Sequence, residues 1–415
     1  MRILVTAAGS YGDVAPYTGL GVRLRSEGHE VALAAPETFR DLVSGSGLEF
    51  RSLPVDPRGG AAAGEQEGRS SLLARAAAFV EGLGDGLADA AAPGADLLLL
   101  ATTTAPLGWH LAEAMEVPSL GVYLQPTLPT GEFPPVVGPG RSLGRWGNRA
   151  TGAFGQRVVD RLHAGAARRL RTRLGLPACS QTARRRAVER ANWPVLHGFS
   201  PTLVPRPADW REGLTVVGNW WPHVAADQRL PAEVEDFLQA GPPPVFIGFG
   251  SMAGGQGERL SGLAVEALRR AGVRGVLQSG WAGLGANGDD VLTVGELPHS
   301  LLFPRTAVVV HHAGAGTAAA ALRAGVPSVP VPVTADQPFW AGRLTRLGAA
   351  TGPIPFADLT AAGLGEAIRQ AVEDRSYRDR AEATAGRMAG EDGAARVAEA
   401  VAELPLRRCS GLRSA

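Results

Sequence analysis

His311-His312-Ala313-Gly314-Ala315-Gly316-Thr317 joins the apolar run Val308 to Val310 to an alanine-rich segment of helical pattern. Glycines there let the backbone approach a ligand closely, and a helix start presents unpaired N–H groups with partial positive charge. Such a turn suits a diphosphate. Thr317 can donate a hydroxyl hydrogen bond, and a histidine at the strand end can donate from its ring. The same residues also suit a plain glycine turn that packs a helix tightly on a sheet. Zinc is disfavoured, because neighbours on an extended chain point opposite ways and no third ligand sits nearby.

A second glycine turn, Gly248-Phe249-Gly250-Ser251, follows another apolar run, and Ser251 could face the same phosphates across a sheet edge. Alone it is a weak fingerprint; two such turns at adjacent strand ends carry more weight. Thr334-Ala335-Asp336-Gln337-Pro338 ends a further strand. The preferred reading makes Asp336 a helix N-cap with Pro338 in the first turn; the sharper one has Asp336 and Gln337 holding sugar hydroxyls. Near the start, Gly9-Ser10-Tyr11-Gly12-Asp13-Val14-Ala15-Pro16 joins strand to helix. Asp13 again reads first as an N-cap, but a carboxylate at that sheet edge could also take a proton from an attacking hydroxyl. No Asp-x-Asp pair of the kind that holds a divalent metal on a diphosphate occurs. A leaving diphosphate would then be stabilised by helix N–H groups and His312.

The elements that must position these residues follow one grammar. Ile3 to Val5, Val31 to Ala34, Leu97 to Leu100 and Ser119 to Val122 are apolar runs, with a helix expected over Tyr17 to Ser26. After Pro242-Pro243-Pro244 the pattern restarts with Val245 to Ile247, then Val276-Leu277, Val291 to Val294, Val308 to Val310 and Ser328-Val329. Helices are expected around Arg259 to Ala271, Ala318 to Ala324 and Phe339 to Leu347. Continuous apolar strands alternating with helices imply parallel sheets covered on both faces. The expectation is an α/β chain of two doubly wound, Rossmann-like domains facing a cleft: 1–218, a linker 219–244, and 245–390.

Two segments break the rhythm, Asp56 to Ser70 and Gln125 to Gly147. Both overhang the carboxyl edge of the first sheet, where ligands bind in open α/β folds, so a mobile acceptor rim and a variable surface loop are equally good readings. Gln156 to Arg190 holds ten arginines against Asp160 and Glu189 and reads as an amphipathic helix. A solvated face is preferred for it over a membrane surface or an acidic acceptor.

Composition narrows the class. With 415 residues, 45% hydrophobic and 20% charged, the chain is globular and long enough for two cores. A net charge of +1 gives no general field for nucleic acid, and all fixed cations are arginine. Cys179 and Cys409 fit neither a disulfide framework nor a zinc pattern, so a reducing cytoplasm is expected. The apolar start is too short for a signal peptide, and no run is long enough to span a membrane.

In this order and spacing, the motifs resemble the UDP-glycosyltransferase superfamily with the GT-B fold, and within it the bacterial natural-product glycosyltransferases that act on antibiotic aglycones. The likeness runs nearly end to end, through Gly12-Asp13-Val14-Ala15-Pro16, Phe199-Ser200-Pro201, Val217-Gly218-Asn219-Trp220-Trp221, Gly241 to Ser251, Ser279-Gly280-Trp281, Glu296-Leu297-Pro298-His299, His311 to Thr317 and Ala335 to Pro338. It implies an inverting, metal-independent transfer from a UDP- or dTDP-sugar, which is a co-substrate rather than a cofactor, to a hydroxyl of a hydrophobic aglycone. His312, Gly314, Gly316 and Thr317 would cradle the diphosphate with Ser251 opposite. Trp281, Leu297 (through its backbone) and His299 would border the base and its sugar, and Asp336 and Gln337 would hold the transferred sugar. Asp13 would be the base, with Tyr11 and Gly12 on the acceptor side, and a final helix within 391–405 would cross back to the first domain.

Three positions depart from common family patterns. Asp13 stands where many members carry histidine, as it does in the antibiotic-type members. Ala320 stands where UDP-selective relatives place a ribose-gripping glutamate, which makes a deoxythymidine donor equally acceptable. Glu296 takes the place of the base-stacking tryptophan of plant members, with Trp281 as its expected substitute. A sterol or glycolipid acceptor and a catalytically silent auxiliary homologue are the alternatives. A nicotinamide oxidoreductase is disfavoured, since no Gly-x-Gly-x-x-Gly turn is followed by an acidic ribose ligand. The oligomeric state is open.

Overall fold

The computed structural model describes residues 1–56, 69–138, 140–250, 256–280, 283–286 and 288–404. Ser251, Trp281 and most of the Asp56–Ser70 segment lie outside the described residues.

Seven parallel strands form the first sheet: β1 (Arg2–Thr6), β2 (Glu30–Pro36), β3 (Glu49–Leu53), β4 (Leu97–Leu100), β5 (Ser119–Tyr123), β6 (Val195–His197) and β7 (Leu214–Val216), in the order β3-β2-β1-β4-β5-β6-β7. Five more form the second: β8 (Val245–Gly248), β9 (Gly275–Gln278), β10 (Val291–Val294), β11 (Val308–His311) and β12 (Ser328–Pro330), in the order β10-β9-β8-β11-β12. All pairs are parallel, with Leu4 opposite Ala32 and Leu98, and His311 opposite Gly248. The four leucines of β4 show why such strands read as unbroken apolar runs. Leu98 and Leu100 pack into one core and Leu97 and Leu99 into another, one on each side of the sheet.

All nine expected strands are present; β3, β6 and β7 are additional. β3 carries Glu49 and Arg51 at a sheet edge, and β6 and β7 are three residues each, too short for a pattern to register. The first helix begins at Tyr11, earlier than expected, and carries Pro16 inside it. The basic segment forms two helices, Gly144–Arg173 and Gln181–Arg190, rather than one. Gly175 (φ +67°) and Pro177 break it, and the Ser180 hydroxyl caps the second helix. Within the expected linker 219–244, the helix Ala232–Gln239 packs Val234 and Leu238 into the core beneath β8, β9 and β10.

The chain ends by returning to the first sheet. Val397, Ala398 and Val401 of the helix Gly393–Glu403 bury against Tyr17, Leu20, Leu24 and Trp220. Asp392 caps this helix by accepting from the Ala395 N–H, and the Trp220 indole donates to the Gly393 carbonyl at 3.1 Å. Gly393 must be glycine, because a Cβ there would lie 2.2 Å from the Gly218 carbonyl oxygen. Ser200 and Thr202 hold Glu391 just before the crossing, at 2.7 and 3.1 Å. The Phe199-Ser200-Pro201 and Val217 to Trp221 segments therefore form the seat for the returning helix.

Elsewhere the two halves meet through aromatic contacts. Phe133 packs on Phe339 (5.2 Å between centroids) and Phe199 meets Trp340 edge-on (6.0 Å). The Arg343 guanidinium lies over Phe133, and Arg323 over Trp221.

Candidate active site

Each sheet reverses its strand order once, at β1/β4 and at β8/β11, and crevices in open α/β sheets lie at the carboxyl ends of such strands. The turn after β1 carries Asp13. The turns after β8 and β11 carry the two glycine motifs.

On the first side, Ser10 is the N-cap of the helix Tyr11–Ser26, so the expectation that Asp13 caps it is corrected. Asp13 sits in the first turn instead. Its Oδ2 accepts from the Ser10 backbone N–H (2.8 Å) and the Ser10 hydroxyl (2.9 Å), while Gln125 Nε2 donates to Oδ1 at 3.3 Å. Gly9 adopts φ +144°, and a Cβ there would come within 2.5 Å of Asp13 Oδ2, so the close approach demands glycine. Burial pushes the Asp13 carboxyl above its usual range, and the Ser10 and Gln125 donors partly offset this. A carboxylate so held is oriented, ionisable and more basic than a solvated one, as a proton acceptor requires.

Ser10 and Gln125 are functional candidates that the motif reading did not single out. A lone Gln opening a Pro- and Gly-rich stretch gives no local signal; only the pairing of β4 with β5 brings it beside the β1 turn. Gln125→Leu removes a donor to the ionised form, which raises the Asp13 pKa further. The acid limb of the kcat/KM–pH profile should therefore move to higher pH, with the alkaline plateau retained. An acid limb that stays in place would show that Gln125 does not tune Asp13.

Tyr11 lies at the cleft surface, 37% exposed, with its ring edge-on to Phe39. Burial and the Glu296 carboxylate push its phenol up to about 12, so it stays a neutral donor. Glu296 belongs to the second domain, so this pair spans the gap. Gly12 is exposed, and a Cβ there would meet only Ser10 Oγ at 3.9 Å, so no steric demand fixes a glycine.

On the second side, His311 and His312 point opposite ways, as neighbours on a strand should. His311 is fully buried and its Nδ1 accepts from the Ala313 N–H at 3.1 Å. Ala313 then turns left-handed (φ 61°), a conformation that costs a non-glycine residue roughly 1 kcal/mol or more and that collects at binding sites. The His312 ring lies between two glycines. A Cβ on Gly250 would fall 2.7 Å from its Cε1, and one on Gly314 would fall 2.6 Å from its Nε2. Burial holds the His312 imidazole down at about 4, with the Gly248 carbonyl opposing, so the ring is neutral at pH 7.

Gly314 is the N-cap of the helix Ala315–Arg323 and has no side chain to cap with. The first helical bond runs from the Ala318 N–H to the Gly314 carbonyl, which leaves the N–H groups of Ala315, Gly316 and Thr317 directed out of the first turn. Gly316 is exposed, with open space where a Cβ would stand. The result is a helix start with open N–H groups, of the kind that suits an anion, beside a neutral imidazole.

The other expected donor-side residues that are described lie in the segments that follow β10 and β12. His299 stacks on Phe303 at 4.2 Å and is held down at about 4 by burial and by His312. Leu297 packs its side chain against the core under β8 to β10. Ala335 is the other left-handed alanine (φ 58°), directly before Asp336. Asp336 is the N-cap of the helix Gln337–Arg346 with Pro338 in its first turn, as expected, but its side chain makes no capping bond. Its Oδ2 accepts from the Trp340 indole at 2.8 Å. Gln337 uses its carbonyl oxygen to accept from the Val333 and Thr334 N–H groups (2.7 and 3.1 Å), which leaves its NH₂ to donate. Burial, and then the negative charge of Asp13, push Asp336 above its usual range. The two carboxylates, on turns of different sheets, are thus electrostatically coupled. Among the described residues, no group of three His, Cys, Asp or Glu is arranged to hold a metal ion.

Comparison with known proteins bears on what these turns serve. Residues 3–83 match the glycosyltransferase family 28 N-terminal domain, and residues 278–404 match the erythromycin biosynthesis protein CIII-like C-terminal domain. The chain is 37% identical over 410 residues to an O-mycaminosyltylonolide 6-deoxyallosyltransferase of Streptomyces fradiae, covering 95% of both chains. This protein belongs to the UDP-glycosyltransferase superfamily. The enzyme is also 32% identical to sterol 3-beta-glucosyltransferase UGT80A2 of Arabidopsis thaliana, although it spans only 64% of that longer chain. Its fold matches the crystal structure of the glycosyltransferase SnogD from Streptomyces nogalater, with a TM-score of 0.69, 23% identity and coverage of 98% of this chain and 100% of the other. The architecture of this glycosyltransferase is therefore GT-B.

Proposed function

We propose that the enzyme transfers a sugar from a dTDP- or UDP-sugar to a hydroxyl of a hydrophobic natural-product aglycone, inverting the anomeric centre by direct displacement without a metal. Asp13 takes the acceptor proton as the hydroxyl oxygen bonds to the anomeric carbon. The bond to the diphosphate breaks as the new one forms, and the departing charge falls on the open N–H groups of Ala315 to Thr317 and on His312. Asp336 and the Gln337 NH₂ hold the sugar hydroxyls. Ser251, Trp281, Leu297 and His299 complete the donor pocket, with Tyr11 and Gly12 bordering the acceptor. The observation that carries this reading is the Asp13 carboxylate, fixed by Ser10 and Gln125 in the turn after β1.

Residues 1–218 would bind the acceptor and 245–390 the donor, with 219–244 joining them and 391–405 returning to the first domain. The Streptomyces fradiae relative, named for moving a 6-deoxyallosyl group, favours a deoxy-sugar and hence a dTDP donor. A sterol acceptor is the second reading, favoured by the sterol glucosyltransferase relatives. Among the described residues no helix is long and apolar enough to cross a membrane. We place the reaction in the cytoplasm, with a nucleotide sugar and a small hydrophobic acceptor as its substrates. The purified enzyme should be incubated with panels of dTDP- and UDP-sugars and of polyketide and sterol acceptors, and the products read by mass spectrometry and anomeric coupling constants. Transfer should give the inverted anomer and persist unchanged in chelator. A retained configuration, or loss of activity in chelator restored by a divalent ion, would overturn the mechanism.

A further inference from the structure

The helix Gly144–Arg173 presents an outer face that the chain leaves uncovered. Trp146 stands 90% exposed, Phe154 63% and Leu143, just before the helix, 61%, with Val158 also exposed. The positions 146, 150, 154, 158 and 157, 161 recur at three- and four-residue spacing, so they share one face. Trp146 and Phe154 are about 12 Å apart along the axis.

Charge on this face is of one sign. Arg157, Arg161 and Arg168 lie on it, are exposed and have no ion-pair partner among the described residues. The other arginines past Asp160 are engaged: Arg169 with Glu81, Arg171 with Glu113, and Arg173 with Asp85 and Asp89. Arg149 is paired with Asp209 at 3.0 Å. The helix has a single acid, Asp160, which is buried and held by Arg185 and Thr182 from the helix Gln181–Arg190. On a chain of net charge +1, three unpaired cations around two exposed aromatic rings are a local feature.

We infer that this face docks on an anionic lipid surface, with Trp146 and Phe154 entering the headgroup boundary and Arg157, Arg161 and Arg168 meeting lipid phosphates. An aromatic, arginine-flanked helix face is the form that lies in the plane of an interface. A second copy of this chain is the poorer occupant, because a two-fold contact through this face sets the same arginines against each other.

The test is sedimentation of the whole enzyme with vesicles of phosphatidylcholine alone and of phosphatidylcholine mixed with phosphatidylglycerol. Wild type should pellet with the anionic vesicles, less so at high salt, and remain free of the neutral ones. The Trp146→Ala/Phe154→Ala and Arg157→Gln/Arg161→Gln variants should each lose about tenfold or more in vesicle affinity while keeping unchanged thermal unfolding. Failure of wild type to pellet with anionic vesicles overturns the inference, as does binding that both variants retain. A wild-type dimer that Trp146→Ala/Phe154→Ala converts to monomer, without vesicle binding, would also overturn it and assign the face to self-association. The readout requires no substrate, so its outcome is separate from that of the proposed reaction.

Discussion

Asp13→Asn is expected to lower kcat by about 10³-fold, within the range contributed by a positioned general base, and to leave nucleoside diphosphate affinity unchanged. Asparagine is nearly isosteric, and its carbonyl oxygen can still accept from Ser10, so the turn after β1 should keep its shape. What the variant loses is the capacity to take a proton. The loss corresponds to roughly 4 kcal/mol of transition-state stabilisation. Donor binding should survive because the turn at His312 to Thr317 belongs to the other sheet. Steady-state kinetics, with calorimetry of dTDP and UDP binding, separate the two effects. Turnover within a few-fold of wild type would remove Asp13 from the reaction.

His312→Ala is expected to weaken nucleoside diphosphate binding by about 10- to 100-fold, which corresponds to losing one hydrogen bond to a charged group. The ring is wedged between Gly250 and Gly314, so its removal also leaves a gap in which both glycine turns lose their spacing. A control follows from the pKa. Burial depresses the imidazole to about 4, whereas a bound diphosphate favours the protonated ring and raises that value. Binding to wild type should therefore tighten as pH falls towards the raised pKa of the complex, and this component should vanish in His312→Ala. The diphosphate's own protonation remains in both proteins and cancels in the comparison. An unchanged dissociation constant would exclude His312 from the donor site.

Local chemistry made much of the site legible. The glycine turns are visible because close backbone approach admits few other residues, and Gly250 and Gly314 against His312 bear that out sterically. The roles of the two aspartates were not visible at the same level. Both occupy positions where an N-cap is the cheaper explanation. In the folded chain Ser10 caps the first helix, and Asp336 holds the N-cap position of its own helix while its side chain turns to the Trp340 indole instead of the helix N–H groups. Side-chain direction depends on which neighbour comes within reach, and the neighbours of both aspartates are set by packing.

The returning helix is a similar case. Its amphipathic pattern is local, but its seat is built from Ser200, Gly218 and Trp220, far away in sequence.

The order of apolar runs and helical stretches determined by itself that this chain builds two parallel, doubly wound sheets, because burial on both faces of a strand demands continuous apolar residues. Motif order likewise determined the superfamily. Only the tertiary structure decided that Gln125 supports Asp13, that the charge of Asp13 acts on Asp336, and that Trp146 and Phe154 stay uncovered. Those facts join residues brought together by crossover connections and domain closure, or depend on what fails to pack against a helix. A one-dimensional pattern carries neither distance, since electrostatic coupling and solvent exposure are properties of the assembled surface.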